Sequence, residues 1–268
     1  MSYIRLDWTK RGYFFDPSPL PSLSSAWQRW GEILTACRIG DFSRTPELLD
    51  LLHPRTDDVL SRACGVLLGD AGSSAAMQKV ASFVRTSFAN LQPFGLDNAL
   101  VITDALSTDG CLDFTEEILE TFDWNLAGAD SSIIALNLSR MLETRWDFVA
   151  ECPRDTREFV AYRELVLDRV AELKKKYGTG NRVFMAAPAD PRRTAQLLLD
   201  NLGSSDFEEA AQTLLRRRFE AATGIDCSDF FAGGLFQPLT AAVMLESFLS
   251  SSAAYEAGAK YFFGHRVP

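Results

Sequence analysis

The sequence predicts an all-α protein, and three observations carry that reading. Apolar residues recur at helical spacing in about eleven segments. Ser, Asp and Pro stand at the starts of those segments, and Gly or Pro at their ends. No low-complexity linker separates them, and only 182–185 reads as a short extended piece. With 47% hydrophobic and 24% charged residues, and 19 Phe and 5 Trp to fill a core, the 268-residue chain has ordinary globular composition. It reads as one helical domain over 1–268, with a subdivision into 1–150 and 151–268 as the alternative.

The first 21 residues read as an irregular or β-like lead-in. Tyr3, Ile4, Leu6 and Trp8 do not keep helical spacing, and Pro17, Pro19 and Pro21 stop any regular element. Ser22 or Ser24 caps a helix to about Ile39, with Trp27, Trp30, Ile33, Leu34 and Cys37 on its apolar face and Gly40 as its stop. Residues 46–53 make a short helix held between Pro46 and Pro54. Asp57 and Asp58 open the next helix, where the dipole favours carboxylates. Its buried face is Val59, Leu60, Ala63, Cys64, Leu67 and Leu68, and 69–72 is read as its break. Ser73 or Ser74 caps a third helix carrying Met77, Val80, Ala81 and Val84.

This stretch resembles a HEAT repeat. In that family a leucine-rich helix ends at a Pro-containing turn, a D-x-x-V-R-x-x-A-like helix follows, and a Leu-Gly-Asp break precedes the next unit. The matching residues are Leu48, Leu49, Leu51, Leu52 and Pro54, then Asp58, Val59 and Ala63, then Leu67, Leu68, Gly69 and Asp70. Leu60 stands where the family has Arg, with Arg62 nearby. The resemblance implies a HEAT-like α-solenoid of stacked helical hairpins, clearest within the first 150 residues. A second hairpin, 96–106 and 113–123, follows at a spacing near 40 residues. A turn at 107–110 joins its helices, and Asp113 with Glu116 reads as a capping box.

Further along, Asp130 or Ser131 caps a helix bearing Ile133, Ile134, Leu138, Met141 and Leu142. A long helix from Asp155 to Tyr177 buries Phe159, Tyr162, Val166, Val170 and Leu173 and ends in Lys174, Lys175, Lys176 and Gly178. Pro191 starts a helix to Leu202, Asp206 caps one to Ala222, and 225–237 is a loop rich in Phe and Gly. Pro238 opens a helix to Leu249, and a last short helix is expected near 254–260. The tail from Tyr261 to Pro268 is too aromatic to stand in water and is expected to dock on the body.

Charge is unevenly spread. The 54 residues between Arg85 and Arg140 hold no Lys or Arg and nine carboxylates, which accounts for the whole net charge of −9. On a helix at 113–123, Asp113, Glu116, Glu117, Glu120 and Asp123 fall on one face, opposite Phe114, Ile118, Leu119 and Phe122. With Asp109 they form the candidate partner-binding surface, either simply solvated or docking a basic protein. No local cation relieves their repulsion. An acidic chain of this kind repels phosphate backbones, so no nucleic-acid partner is expected.

Catalytic chemistry finds little support. His53 reads as a turn residue and His265 as part of the docked tail. Cys227 lies among acidic neighbours, which raise a thiol pKa. The motifs of zinc hydrolases, C-x-x-C sites, serine hydrolases and P-loops are absent from the sequence, so no metal, cofactor or catalytic residue is expected. The basic clusters at 174–176, 192–193 and 216–218 read as solvated helix faces. Five widely spaced cysteines fit reduced thiols in a cytoplasm. No signal peptide is expected, and no apolar run reaches the roughly 18 residues of a membrane span.

The leading functional expectation is a non-enzymatic protein-binding module. In size, acidity and lack of a catalytic set the chain is similar to helical immunity proteins of bacterial polymorphic-toxin systems. That resemblance implies a basic toxin as partner. The alternatives are an adaptor or scaffold subunit, or an enzyme of the HEAT-like DNA glycosylase kind, which would need a basic groove.

Overall fold

The computed structural model describes residue 13 and residues 25–52, 58–89, 96–124, 131–144, 152–202, 209–232 and 235–268. The expected lead-in, apart from Tyr13, and His53 lie outside the described residues. The first helices in chain order are α1 (Ser25–Arg38), α2 (Asp58–Ala71), α3 (Ser74–Ala89), α4 (Leu96–Asp109) and α5 (Thr115–Trp124). They are followed by α6 (Ser131–Leu142), α7 (Thr156–Tyr177), α8 (Pro191–Asn201), α9 (Glu209–Thr223) and α10 (Pro238–Ser250). The expected helix at 46–53 is a 3₁₀ turn, Thr45–Leu51. The strands among the described residues form three antiparallel two-residue hairpins, so the all-α expectation stands at the level of class.

Two compact units divide the chain. One is Met1–Asp41 with Asp190–Val267, the other Phe42–Ala189 with Pro268. The boundaries do not fall near 151, because α7 packs on α5 and α6 and stays with the helices before it.

In the second unit α2 packs along α4 and α4 along α6, while α3 packs on α5 and α5 on α7. Two helix layers result. Helices α2 and α4 run parallel: Gly65 lies against Val101, and Gly69, one turn on, lies against Ala105 and Thr108. A Cβ on Gly65 would stand 2.4 Å from Val101, and one on Gly69 would stand 2.6 Å from Thr108. The missing side chains therefore set how closely the helices approach. This corrects the expected break at 69–72. The helix continues through Gly69, which is a packing contact, and ends only at Gly72. Ser73 Oγ then accepts the Ala76 N–H at 3.3 Å, as a helix cap should. Likewise α4 runs past the expected Leu106 to Asp109.

The hairpin of β1 (Val183–Phe184) and β2 (Ala187–Pro188) closes the C-terminal ends of α4 and α6. The Val183 N–H donates to the Gly110 carbonyl at 2.8 Å. The Met185 and Ala186 N–H groups donate to the carbonyls of Arg140 and Met141 at 2.9 and 3.2 Å. Carbonyls that a helix end leaves orphaned thus gain partners. Gly110 has φ +78°, and a Cβ there would lie 2.3 Å from the Val183 carbonyl oxygen.

The other unit packs α8 against α9 and α10. Asp190 caps α8 by accepting the Arg192 N–H at 2.8 Å. The Arg192 guanidinium reaches the C-terminal end of α10, donating to the carbonyls of Leu249, Ser251 and Ala253. A second hairpin, β3 (Phe231–Ala232) with β4 (Leu235–Phe236), lies in the segment expected to be loop. The tail forms the third, β5 (Tyr261–Phe262) with β6 (His265–Arg266). Its turn covers the end of α9, where the Phe263 and Gly264 N–H groups donate to the carbonyls of Ala221 and Ala222. Phe262 is fully buried, edge-on to Tyr13 at 5.0 Å. The expected helix near 254–260 is absent. Ala254, Glu256 and Ala257 are exposed, giving it no apolar face, and Gly258 turns the chain at φ +82°. Among the described residues no helix is long and apolar enough to cross a membrane.

Replacing Gly110 by Ala should cost about 2–4 kcal/mol, from backbone strain plus the clash with Val183. Gly180, with nothing within 4 Å of its added Cβ, should accept Ala without loss. Urea unfolding midpoints of the two variants check the contrast.

Candidate functional site

Helix α5 carries most of the predicted acidic surface, and it packs against α3, α4, α6 and α7. So many neighbours leave it only a narrow exposed stripe. Glu116, Glu120 and Asp123 are exposed, with Asp113 in the 3₁₀ turn (Leu112–Phe114) just before the helix. Glu117 is only 3% exposed and Asp109 2%. This corrects the single exposed face drawn from helical spacing, because the side of α5 bearing Glu117 meets α3.

Cations from outside the acidic span neutralise four of the six candidates. Arg85 of α3 pairs with Glu117. Arg163 and Lys174 of α7 pair with Glu116 and Asp113. Asp109 Oδ2 accepts the Cys111 N–H at 3.3 Å and faces Arg182 Nε at 3.7 Å. The Arg182 guanidinium also donates to Ser74 Oγ. The sequence contained no local cation, but the fold imports them.

Glu120 and Asp123 have no hydrogen-bond or ion-pair partner among the described residues, and the same holds for Glu164 of α7. These three rim a cavity of about 400 Å³ between α5 and α7, over Leu119, Phe159 and Val160. Phe159 stacks on Phe122 at 5.4 Å, which fixes the floor, while Val160 is 56% exposed. Partial burial raises the Glu120 pKa, the Glu117 and Glu116 carboxylates add to the rise, and Arg85 and Arg163 oppose it. An apolar floor beside three unpaired carboxylates, with Arg163 of the lining already held by Glu116, suits a cationic group on an aliphatic stem. Glu164 and Val160 escaped the sequence reading. Val160, apolar on the otherwise polar side of α7 and four residues before Glu164, was the available signal.

The basic residues an enzymatic groove would use are mostly engaged. Lys174 and Arg182 hold carboxylates, Arg192 binds a helix end, and Arg216 is buried, 5.4 Å from the Phe231 ring. His265 is exposed, with its ring against Gly40. Cys227 is fully buried, and burial, then the Glu220 carboxylate, raises its pKa. Among the described residues no group of three His, Cys, Asp or Glu could hold a metal ion.

One buried carboxyl departs strongly from ordinary behaviour. Glu220, 1% exposed, has its pKa raised from 4.5 to about 7, chiefly by burial, with Arg216 and the Tyr13 N–H opposing. That N–H donates to Oε1 at 3.0 Å, and Oε2 has no hydrogen-bond partner among the described residues.

No family model, curated protein or solved structure matches the chain.

Because folding raises the Glu220 pKa, the folded state holds its proton more tightly than the unfolded chain. The resulting stability is full below about pH 4.5 and is lost as pH rises to about 7. The loss amounts to about 3 kcal/mol. Thermal melts of wild type and Glu220→Gln between those values should show the decline flattened in the variant.

Proposed function

We propose that the chain is a non-enzymatic protein-binding module that takes a basic partner at the α5–α7 groove. The observation that carries this reading is the split among the carboxylates. Those on one side are paired by Arg85, Arg163, Lys174 and Arg182, whereas Glu120, Asp123 and Glu164 stand unpaired around an apolar floor. Unpaired like charges repel one another, so a site that keeps them has a use for them when a partner supplies the opposite sign. Long-range attraction would speed the encounter and make it salt-sensitive.

The layered packing of parallel helices supports a HEAT-like α-solenoid, an architecture whose extended faces serve recognition. The biological case that fits best is an immunity protein in a bacterial cytoplasm, neutralising a basic toxin by covering its surface.

The test is affinity capture from the native host at low ionic strength. A stoichiometric basic protein should be retained by wild type, released by salt, and bound at least about tenfold more weakly by the triple variant Glu120→Lys, Asp123→Lys, Glu164→Lys. A partner held equally well by that variant would remove the groove from the account.

A further inference from the structure

The other helix layer of the same unit bears a second cavity, of about 290 Å³, lined by α2, α4 and α6. Its volume is at the lower end for ligand pockets, which points to a small molecule. Val66, Val101 and Ile133 give it apolar walls, and Ile133 is 41% exposed. Each helix adds polar groups: Arg62 from α2, Asp104 from α4, and Asn137 with Arg140 from α6. Among the described residues neither the Arg62 guanidinium nor the Asp104 carboxylate has an ion-pair or hydrogen-bond partner.

Asn137 is the decisive member. It lines the cavity and is 1% exposed. Its Oδ1 accepts from Arg140 Nη1 at 3.2 Å, which orients the amide. That leaves Nδ2 as a buried donor without an acceptor. Buried polar groups in folded proteins are nearly always satisfied, so an orphan in a cavity wall marks a place where a ligand acceptor is missing.

Position along the helices separates the two free charges. Gly65 meets Val101 in the parallel pair α2 and α4. Arg62 lies three residues before Gly65 and Asp104 three after Val101. The two are therefore roughly 9 Å apart along the axes, at 1.5 Å per residue. A free cation and a free anion at opposite ends, a donor amide and apolar walls complement a molecule with both charges and a hydrocarbon body. We propose that this cavity binds a small zwitterion whose two charges stand at opposite ends of an apolar body, of the class of apolar dipeptides. Its carboxylate goes to Arg62, its ammonium to Asp104, and its peptide carbonyl, next to the ammonium, accepts from the Asn137 amide. The reading is independent of the α5–α7 groove.

Isothermal titration of the full chain with L-leucine and with leucyl-leucine tests it. Leucyl-leucine should bind saturably at millimolar concentration or below, and L-leucine, whose two charges share one carbon, about tenfold more weakly or not at all. The dipeptide derivatives that each lack one charge, leucyl-leucinamide and N-acetyl-leucyl-leucine, should bind about tenfold more weakly or not at all. Arg62→Ala and Asp104→Asn should weaken zwitterion binding by a similar factor. Arg62 is exposed, so unchanged melting of its variant keeps the test separate from folding. No saturable binding of leucyl-leucine overturns the proposal, and so does equally tight binding of L-leucine. So does equal binding of the singly charged analogues, or wild-type affinity in both variants.

Discussion

A carboxylate buried among helices needs a cation within reach, and here the cations arrive from distant segments. Glu117 sits in the α3–α5 contact and is held by Arg85, 32 residues earlier, while Glu116 is met by Arg163, 47 residues later. The pairs differ in weight. Glu117 is almost fully buried, so losing Arg85 would strand a charge in a low-dielectric setting. Glu116 and Arg163 are both about half exposed, and water screens such a pair to a small contribution. Pairing also selects what is left over. Once α3, α7 and the β1–β2 hairpin have supplied their bases, the residual negative charge of α5 is concentrated at Glu120 and Asp123, beside Glu164. Function and folding thus draw on the same acidic segment but on different residues of it.

The other constraint is the closeness of α2 and α4. Gly65 and Gly69, one turn apart, let the two helices approach until a Cβ on either would collide with the neighbour. The C-terminal ends of α4 and α6 are satisfied together by the segment from Val183 to Ala186. Arg182 places a cation at the end of α4, where the helix dipole is negative. The same close register gives the second cavity its lining, since Gly65 and Val101 both belong to it.

Much of this was legible in the sequence. The apolar stripe of α1, from Trp27 to Cys37, is buried as its spacing implied. Helix α7 starts after the capping Asp155 and stops at Gly178 with three lysines in its last turn. These features are local, and local rules reach them. The hairpins were legible only as the extended piece at 182–185, which contains β1, because two residues per strand cannot display an alternation. Gly69 was misread because a glycine that ends a helix and one that admits a neighbouring helix look alike in one dimension. The acidic face was half legible: helical spacing placed Glu116, Glu120 and Asp123 together, but it could not know that α3 would cover Glu117. Pairing across 32 or 47 residues leaves no trace in a local charge count.

The central claim is that the acidic span contains two kinds of carboxylate, and equilibrium unfolding of neutralised variants tests it most directly. Glu117→Gln and Asp109→Asn should lower the urea midpoint, since each leaves a committed cation without its partner. Glu120→Gln, Asp123→Asn and Glu164→Gln should leave it unchanged or raise it, since none of the three is paired with a cation. Equal losses in the two sets would contradict the division on which the functional reading rests.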